Sequence, residues 1–161
     1  MAARDVILIG VLIFAFGVGF FILNFVMTNM VDEMSVITEI NESNASLSAF
    51  EGITKVVNRL DYVVFGLFIG LVLALIITGW FVGGHPIFMF IYFIVMVMAV
   101  ILSVVLSNVW YDVSQASVFG TTILQFPVTN HLLLRLPFYS AIVGFIGFVV
   151  MFAKPYFQDG Y

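Results

Sequence analysis

The sequence predicts an all-α integral membrane protein in which four transmembrane helices form a single domain over residues 1–161. Hydrophobic residues make up 63% of the chain and charged residues only 9%, against roughly 25% charged residues in ordinary soluble domains. A soluble fold of this length would leave large apolar patches in water. Several uncharged runs also reach the length of about 20 residues that crosses a bilayer as a helix. Lipid is therefore the expected solvent for most of the chain.

Four apolar segments define the predicted spans. Three contain no Asp, Glu, Lys or Arg and cover about residues 6–30, 62–82 and 86–109. The fourth covers 132–153, with Arg135 extending its guanidinium to the headgroups and Pro137 bending the first turns. The first run exceeds the apolar core of a signal peptide, so we expect a retained anchor. Aromatic residues that favour the interface mark the proposed ends: Tyr62, Trp80, Trp110, Tyr111, Tyr139 and Tyr156.

Residues 31–61 are predicted to form a helical hairpin that extends the first two spans beyond the lipid. Apolar residues recur there at spacings of 7, 3 and 7, close to the repeat of a coiled-coil seam: Ile40, Leu47, Phe50 and Val57. Ser48 and Glu51 fit a capping box, so the second hairpin helix is expected to begin at Ser48. No proline interrupts either helix on its way into the membrane, which predicts two continuous helices.

This hairpin is the predicted partner-contacting surface. Its acidic residues, Asp61 included, are expected to lie on a solvated face that fits a basic partner. The candidate contact residues are Glu39, Glu42, Leu47, Phe50 and Val57. Asn41 and Asn44 lie in glycosylation sequons near the tip, although the residue preferences of an exposed turn explain them equally.

The segment 110–131 is predicted to lie against the membrane interface or against the hairpin. It has no charge after Asp112 and is rich in Ser, Thr, Gln and Gly, so it is neither a span nor an ordinary soluble loop. Thr129 or Asn130 is expected to cap the helix that follows.

Small residues at four-residue spacing predict close contacts between helices, either within the bundle or with a neighbouring copy. Asn24, inside the first span, is expected to hydrogen-bond between helices. The candidate packing residues are Ala15, Gly19, Asn24, Gly66, Gly70, Ser140 and Gly144.

No catalytic, cofactor-binding or metal site is predicted, and no enzymatic activity. His85 and His131 fall at opposite faces of the membrane, about 30 Å of hydrocarbon apart, so a shared metal is not expected. Proton relays and ion paths normally place ionisable side chains at depth, and these spans offer none there. The five Lys and Arg residues are scattered, which argues against a nucleic-acid partner.

The C-terminal third resembles the small membrane proteins of tailless icosahedral viruses whose capsid encloses a lipid vesicle. The similar features are the run Phe126-Pro127-Val128-Thr129-Asn130, the leucines from Leu132 to Leu136, Pro137, an apolar helix and then Lys154. The resemblance covers about 30 residues and implies a structural role in a virion. It carries no catalytic residues.

Three functions are open at this point. The first is a structural membrane subunit, of a virion above all, that links lipid to a capsid or to neighbouring subunits, including copies of itself. The second is a small channel, transporter or holin-like pore, and the third an accessory subunit of a respiratory or secretion complex. Four spans place both termini on one side of the membrane. Positive residues do not decide which side, and the interior or cytoplasmic side is assigned to the termini.

Overall fold

The computed structural model describes residues 2–37, 44–57, 59–82 and 88–158, and the regular elements within them are all helical. The helices are α1 (Ala2–Ser35), α2 (Asn44–Val57), α3 (Leu60–Val82), α4 (Phe88–Gln115), α5 (Gly120–Leu124), α6 (Pro127–Leu134) and α7 (Leu136–Gln158), with a 3-10 turn at Ser117–Phe119. The predicted all-α class is confirmed for the described part of the chain.

Three helical stretches are long and apolar enough to cross a membrane, and a fourth is added if the bent pair α6 and α7 counts as one span. The three lie within Arg4–Met34, Ser48–Phe81 and Met89–Gln115. These positions follow the predicted spans because a run of apolar residues is a local property of the sequence.

A four-helix bundle of α1, α3, α4 and α7 forms the body of the molecule. The main packing pairs are α4 with α7, α3 with α1, α1 with α4, and α3 with α7. Tyr92 of α4 is buried in this bundle and its hydroxyl donates a hydrogen bond to the carbonyl oxygen of Gly144 at 3.0 Å. Large apolar side chains such as Leu73, Phe90 and Phe145 face outward, as expected for a surface solvated by lipid.

The hairpin of α1 and α2 differs from the prediction in where its helices begin and end. Helix α2 begins at Asn44, so Ser48 lies inside the helix and does not cap it. The capping-box pattern identifies residue types only, and the Asn and Ser residues upstream can begin a helix equally well. On the other side of the hairpin, α2 ends at Val57 and α3 begins at Leu60, and both contribute to one long apolar helical stretch, Ser48–Phe81. The N–H of Arg59 donates to the carbonyl of Val56 at 3.0 Å. The predicted continuity depends on Asn58, which lies outside the described residues.

The third span extends into the segment predicted to be interfacial, because α4 runs on to Gln115. Trp110, predicted to mark the membrane interface, is instead fully buried within the protein. The segment 117–134 folds back over it in three short helical elements. Gln125 of this segment lines a cleft together with Asp32 and Ile53 of the hairpin, which agrees with the second predicted alternative, packing against the hairpin. Aromatic side chains at the end of a span fit a buried contact as well as an interfacial one, and sequence alone does not separate the two.

The fourth predicted span corresponds to two helices, α6 and α7, which meet near Arg135 at an angle of 71°. Pro137 lacks an N–H and its ring crowds the carbonyl of Leu133, so one helix cannot continue through this point. The hydroxyl of Ser107 donates to the carbonyl of Leu134 at 2.7 Å and satisfies a group exposed by the bend. The predicted start at Leu132 is therefore wrong for α7, which begins at Leu136.

Candidate functional site

Helix α6 lies across one end of the bundle and is held there by an aspartate from another helix. Phe126 occupies the N-cap position and offers no side-chain oxygen, while Pro127 begins the helix. The carboxylate of Asp61, at the start of α3, accepts hydrogen bonds from the N–H of Val128 at 3.0 Å and of Thr129 at 2.7 Å. Asp61 therefore supplies the missing cap from a position 67 residues earlier in the chain.

The electrostatics of this contact explain why a carboxylate is tolerated inside the protein. Asp61 is only 2% exposed, and a buried charge is costly unless it is paired or hydrogen-bonded. The two amide groups satisfy it, and the positive end of the α6 dipole favours a negative charge there. Two predictions are corrected by this geometry: Asp61 does not lie on a solvated face, and neither Thr129 nor Asn130 caps the helix.

The other side of α6 is fixed to α4. The indole Nε1 of Trp110 donates to Oδ1 of Asn130 at 3.0 Å, and the Ser107 hydroxyl holds the carbonyl of Leu134. Polar contacts to α3 and to α4 thus hold α6 in place across the end of the bundle.

An aromatic cluster fills the space beneath this helix. The ring of Phe21 from α1 packs edge-on against Trp110, Phe119 and Phe126, with centroid distances of 5.2, 5.2 and 5.8 Å. Edge-to-face geometry places the positive ring edge against the negative face of its neighbour. Phe25 adds a further edge contact with Phe119 at 4.9 Å. The cluster joins α1 to α4 and to the segment 117–134.

Gly17 allows α6 to approach α1 closely. A Cβ at this position would lie 3.0 Å from Cδ1 of Leu133 and 3.3 Å from Cγ2 of Thr129, so a larger residue would push α6 away. Sequence reasoning did not select Gly17. The residues that Gly17 contacts lie more than 110 positions away in the chain, and no local sequence pattern predicts such a contact.

Asn24 and Thr129 are fully buried polar residues near this site. Oδ1 of Asn24 accepts a hydrogen bond from Thr28 of the same helix at 3.3 Å. The expected bond from Asn24 to another helix is not found among the described residues, where neither Nδ2 of Asn24 nor Oγ1 of Thr129 has a partner.

The candidate packing residues fall into two groups. Gly144 lies against α4, where an added Cβ would come within 2.7 Å of Met96, and Ser140 is buried close to Gly10. Open space lies beside the others: no atom is within 4 Å of a Cβ placed on Gly19, Gly66 or Gly70, and Ala15 is exposed. For this second group, contact with a neighbouring copy stays a prediction.

The candidate partner-contact residues are only partly visible. Glu39 and Glu42 lie outside the described residues, as do the side chains of Leu47 and Val57. Phe50 of α2 is half-buried. An apolar groove runs between α2 and α1 and is lined by Leu23, Met27, Ala49, Gly52, Ile53, Val56 and Leu60. The contact role of the hairpin stays a prediction.

Metal-ligating side chains do not converge in the part of the chain that the structure describes, where no three His, Asp or Glu residues come together. His131 is exposed on α6, with its ring 6.4 Å from that of Tyr139, whereas His85 is outside the described residues. What the site brings together is hydrogen-bonding and packing groups, which suit the positioning of a helix.

No family model, curated protein or solved structure matches this chain.

Proposed function

We propose that this protein is a structural subunit of a membrane assembly, in which the four-helix bundle lies in the bilayer and the α1–α2 hairpin contacts a neighbouring subunit. The observation that carries the proposal is the hairpin itself. It extends the molecule beyond the bundle and carries exposed apolar side chains.

The length of α1 gives the size of the extension. Its 34 residues correspond to about 51 Å of helix, whereas the hydrocarbon core is about 30 Å thick. Roughly 20 Å of helix is therefore left over. It lies at the C-terminal end of α1, because the groove against α2 is lined by Leu23 and Met27 and a neighbouring cleft by Val31 and Asp32.

The surface of this extension suits a protein partner. Met30, Val36 and Val56 are 50%, 81% and 64% exposed, and an ion pair joins Lys55 to Glu51 across 3.9 Å close by. Exposed apolar groups rimmed by charges are typical of protein–protein contact sites. The acidic residues of the hairpin favour a basic partner, with charge setting register and association rate more than affinity.

The bundle interior favours a structural role over transport. Ser103, buried in the bundle, donates to the carbonyl of Ala99 in its own helix, and the buried Tyr92 donates to Gly144. Polar groups used in this way do not line a path for ions, which normally requires ionisable or hydrated side chains at depth. The resemblance of residues 126–154 to membrane proteins of vesicle-containing viruses favours a virion as the assembly.

The test compares membrane insertion with incorporation into the assembly. Glu39 and Glu42 are both changed to Lys, and the variant is quantified in native membranes and in particles purified from them. We expect normal insertion and reduced incorporation. Asp112→Lys, outside the hairpin, is the matched control and should incorporate normally. Equal incorporation of both variants contradicts the proposal, and dye leakage from liposomes containing the purified protein favours the pore alternative.

A further inference from the structure

A second groove lies on the side of the bundle, between α3, α6 and α7. It has a volume of about 260 Å³ and is lined by Phe65, Phe68, Pro127, Val128, His131, Leu132 and Tyr139. The lining is apolar except for His131 and Tyr139. The groove exists because α6 turns away from α7 by 71°, which leaves a concave surface where a continuous helix would be convex.

One arginine, Arg135, lies next to this groove. The N–H of Arg135 donates to the carbonyl of His131 at 3.3 Å, and the carbonyl of Arg135 accepts from the N–H of Tyr139 at 3.1 Å. His131, Arg135 and Tyr139 therefore follow one another at intervals of about one turn. Arg135 is not itself in the lining, but it lies in the chain between two residues that are, and its long exposed side chain can extend to the edge of the groove.

The Arg135 side chain is exposed and forms no ion pair with the described carboxylates. Asp61, the acidic residue bound to α6, is already occupied by two backbone amides. The charge of Arg135 beside the groove is therefore not neutralised by any carboxylate in the part of the chain that the structure describes.

The level of the groove in the bilayer follows from Asp61. This residue lies in the first turn of α3 and bonds the first turn of α6, so α6 lies at the end of the spans, close to the headgroups. Phe68 and Tyr139 are further along α3 and α7, toward the hydrocarbon. The charged edge thus faces the headgroup layer and the apolar lining faces the acyl chains.

We propose that this groove binds one anionic phospholipid, with the phosphate on Arg135 and an acyl chain along Phe65, Phe68 and Leu132. A guanidinium matches phosphate oxygens with two parallel hydrogen bonds, and basic sites between membrane helices are suited to anionic headgroups. The inference rests on the proposed membrane location and adds a specific ligand to it.

The experiment measures lipid retention by native mass spectrometry of the full-length protein in detergent, with phosphatidylglycerol and phosphatidylcholine of matched chains. Wild type should retain phosphatidylglycerol roughly five-fold more than phosphatidylcholine, the scale of one basic residue at an anionic surface. Arg135→Gln should abolish this preference. Arg59→Gln, an exposed arginine at the same end of the bundle, is the control and should preserve it.

A second variant tests the apolar part of the groove. Val128→Phe adds bulk to the lining and should reduce retention of both lipids. Absence of preference in the wild type, equal loss in Arg135→Gln and Arg59→Gln, or full competition by inorganic phosphate would each overturn the proposal. Carbonate extraction of the same membranes distinguishes failure of the lipid-site proposal from failure of the proposed membrane location. Protein that resists extraction without retaining phosphatidylglycerol contradicts the lipid site alone, while extracted protein contradicts the membrane location.

Discussion

Removing the Asp61 carboxylate is the most informative perturbation of the fold. Asp61→Ala leaves the N–H groups of Val128 and Thr129 without their acceptor, at bonds that now measure 3.0 and 2.7 Å. A hydrogen bond to a charged group contributes about 1.5–3 kcal/mol, and relief of the cost of burying the carboxylate offsets part of the loss. We expect a local destabilisation of α6 by about 2–4 kcal/mol.

Hydrogen–deuterium exchange of α6 measures this directly. A destabilisation of this size should raise the exchange rates of the Val128 and Thr129 amides roughly 30- to 700-fold, because these amides exchange when α6 opens. Asp61→Asn retains one acceptor oxygen and should give an intermediate increase. Asp112→Ala removes an exposed aspartate and should leave α6 unchanged. Unaltered exchange in Asp61→Ala, with the bundle still folded, would refute the anchoring role of Asp61.

Four further changes probe the packing. Phe21→Ala should lower the stability of the detergent-solubilised protein to unfolding by about 3–5 kcal/mol, because the ring is fully buried in the aromatic cluster; a loss below about 1 kcal/mol would contradict that packing. Gly147→Ala should lower the free energy of unfolding by about 1–3 kcal/mol in the same assay, because the added Cβ would lie 2.6 Å from the Tyr92 hydroxyl. The Cβ added by Gly66→Ala meets no atom within 4 Å, so this variant should not change the stability of the monomer. Equal losses of stability in Gly147→Ala and Gly66→Ala would contradict the packing of the bundle. Phe50→Asp should increase protease cleavage of the hairpin, through a loss of about 1–2 kcal/mol for a half-buried ring; unchanged cleavage would mean that Phe50 does not pack.

The sequence predicted the long apolar helices well and the connecting segment poorly, and the difference has a physical cause. The long helices follow runs of apolar residues, which are a local property of the sequence. The anchoring of α6 depends instead on a contact between positions 67 residues apart, which no periodicity reports. One signal was available: Phe126-Pro127 begins a helix without any capping side chain, so an acceptor from elsewhere in the fold was required.

The small-residue pattern shows the same limit. Four-residue spacing selected Gly66 and Gly70, which face open space, and missed Gly17 and Gly147, which take the closest contacts. Spacing places residues on one face of a helix but does not say which face meets a neighbour. That choice is made by the partner helix and therefore by the tertiary fold.

Cysteine labelling of each membrane face tests whether the chain has four spans and a hairpin that extends beyond the lipid. The chain contains no cysteine, so a single introduced cysteine can be labelled with a membrane-impermeant maleimide in sealed vesicles of each orientation. We expect Lys55→Cys to react from one face, and Arg4→Cys and Lys154→Cys to react only from the other. Leu73→Cys, on the outward surface of the bundle, should not react from either face. Labelling of Lys55→Cys and Arg4→Cys from the same face, or reaction of Leu73→Cys, would contradict the four-span arrangement with an emergent hairpin.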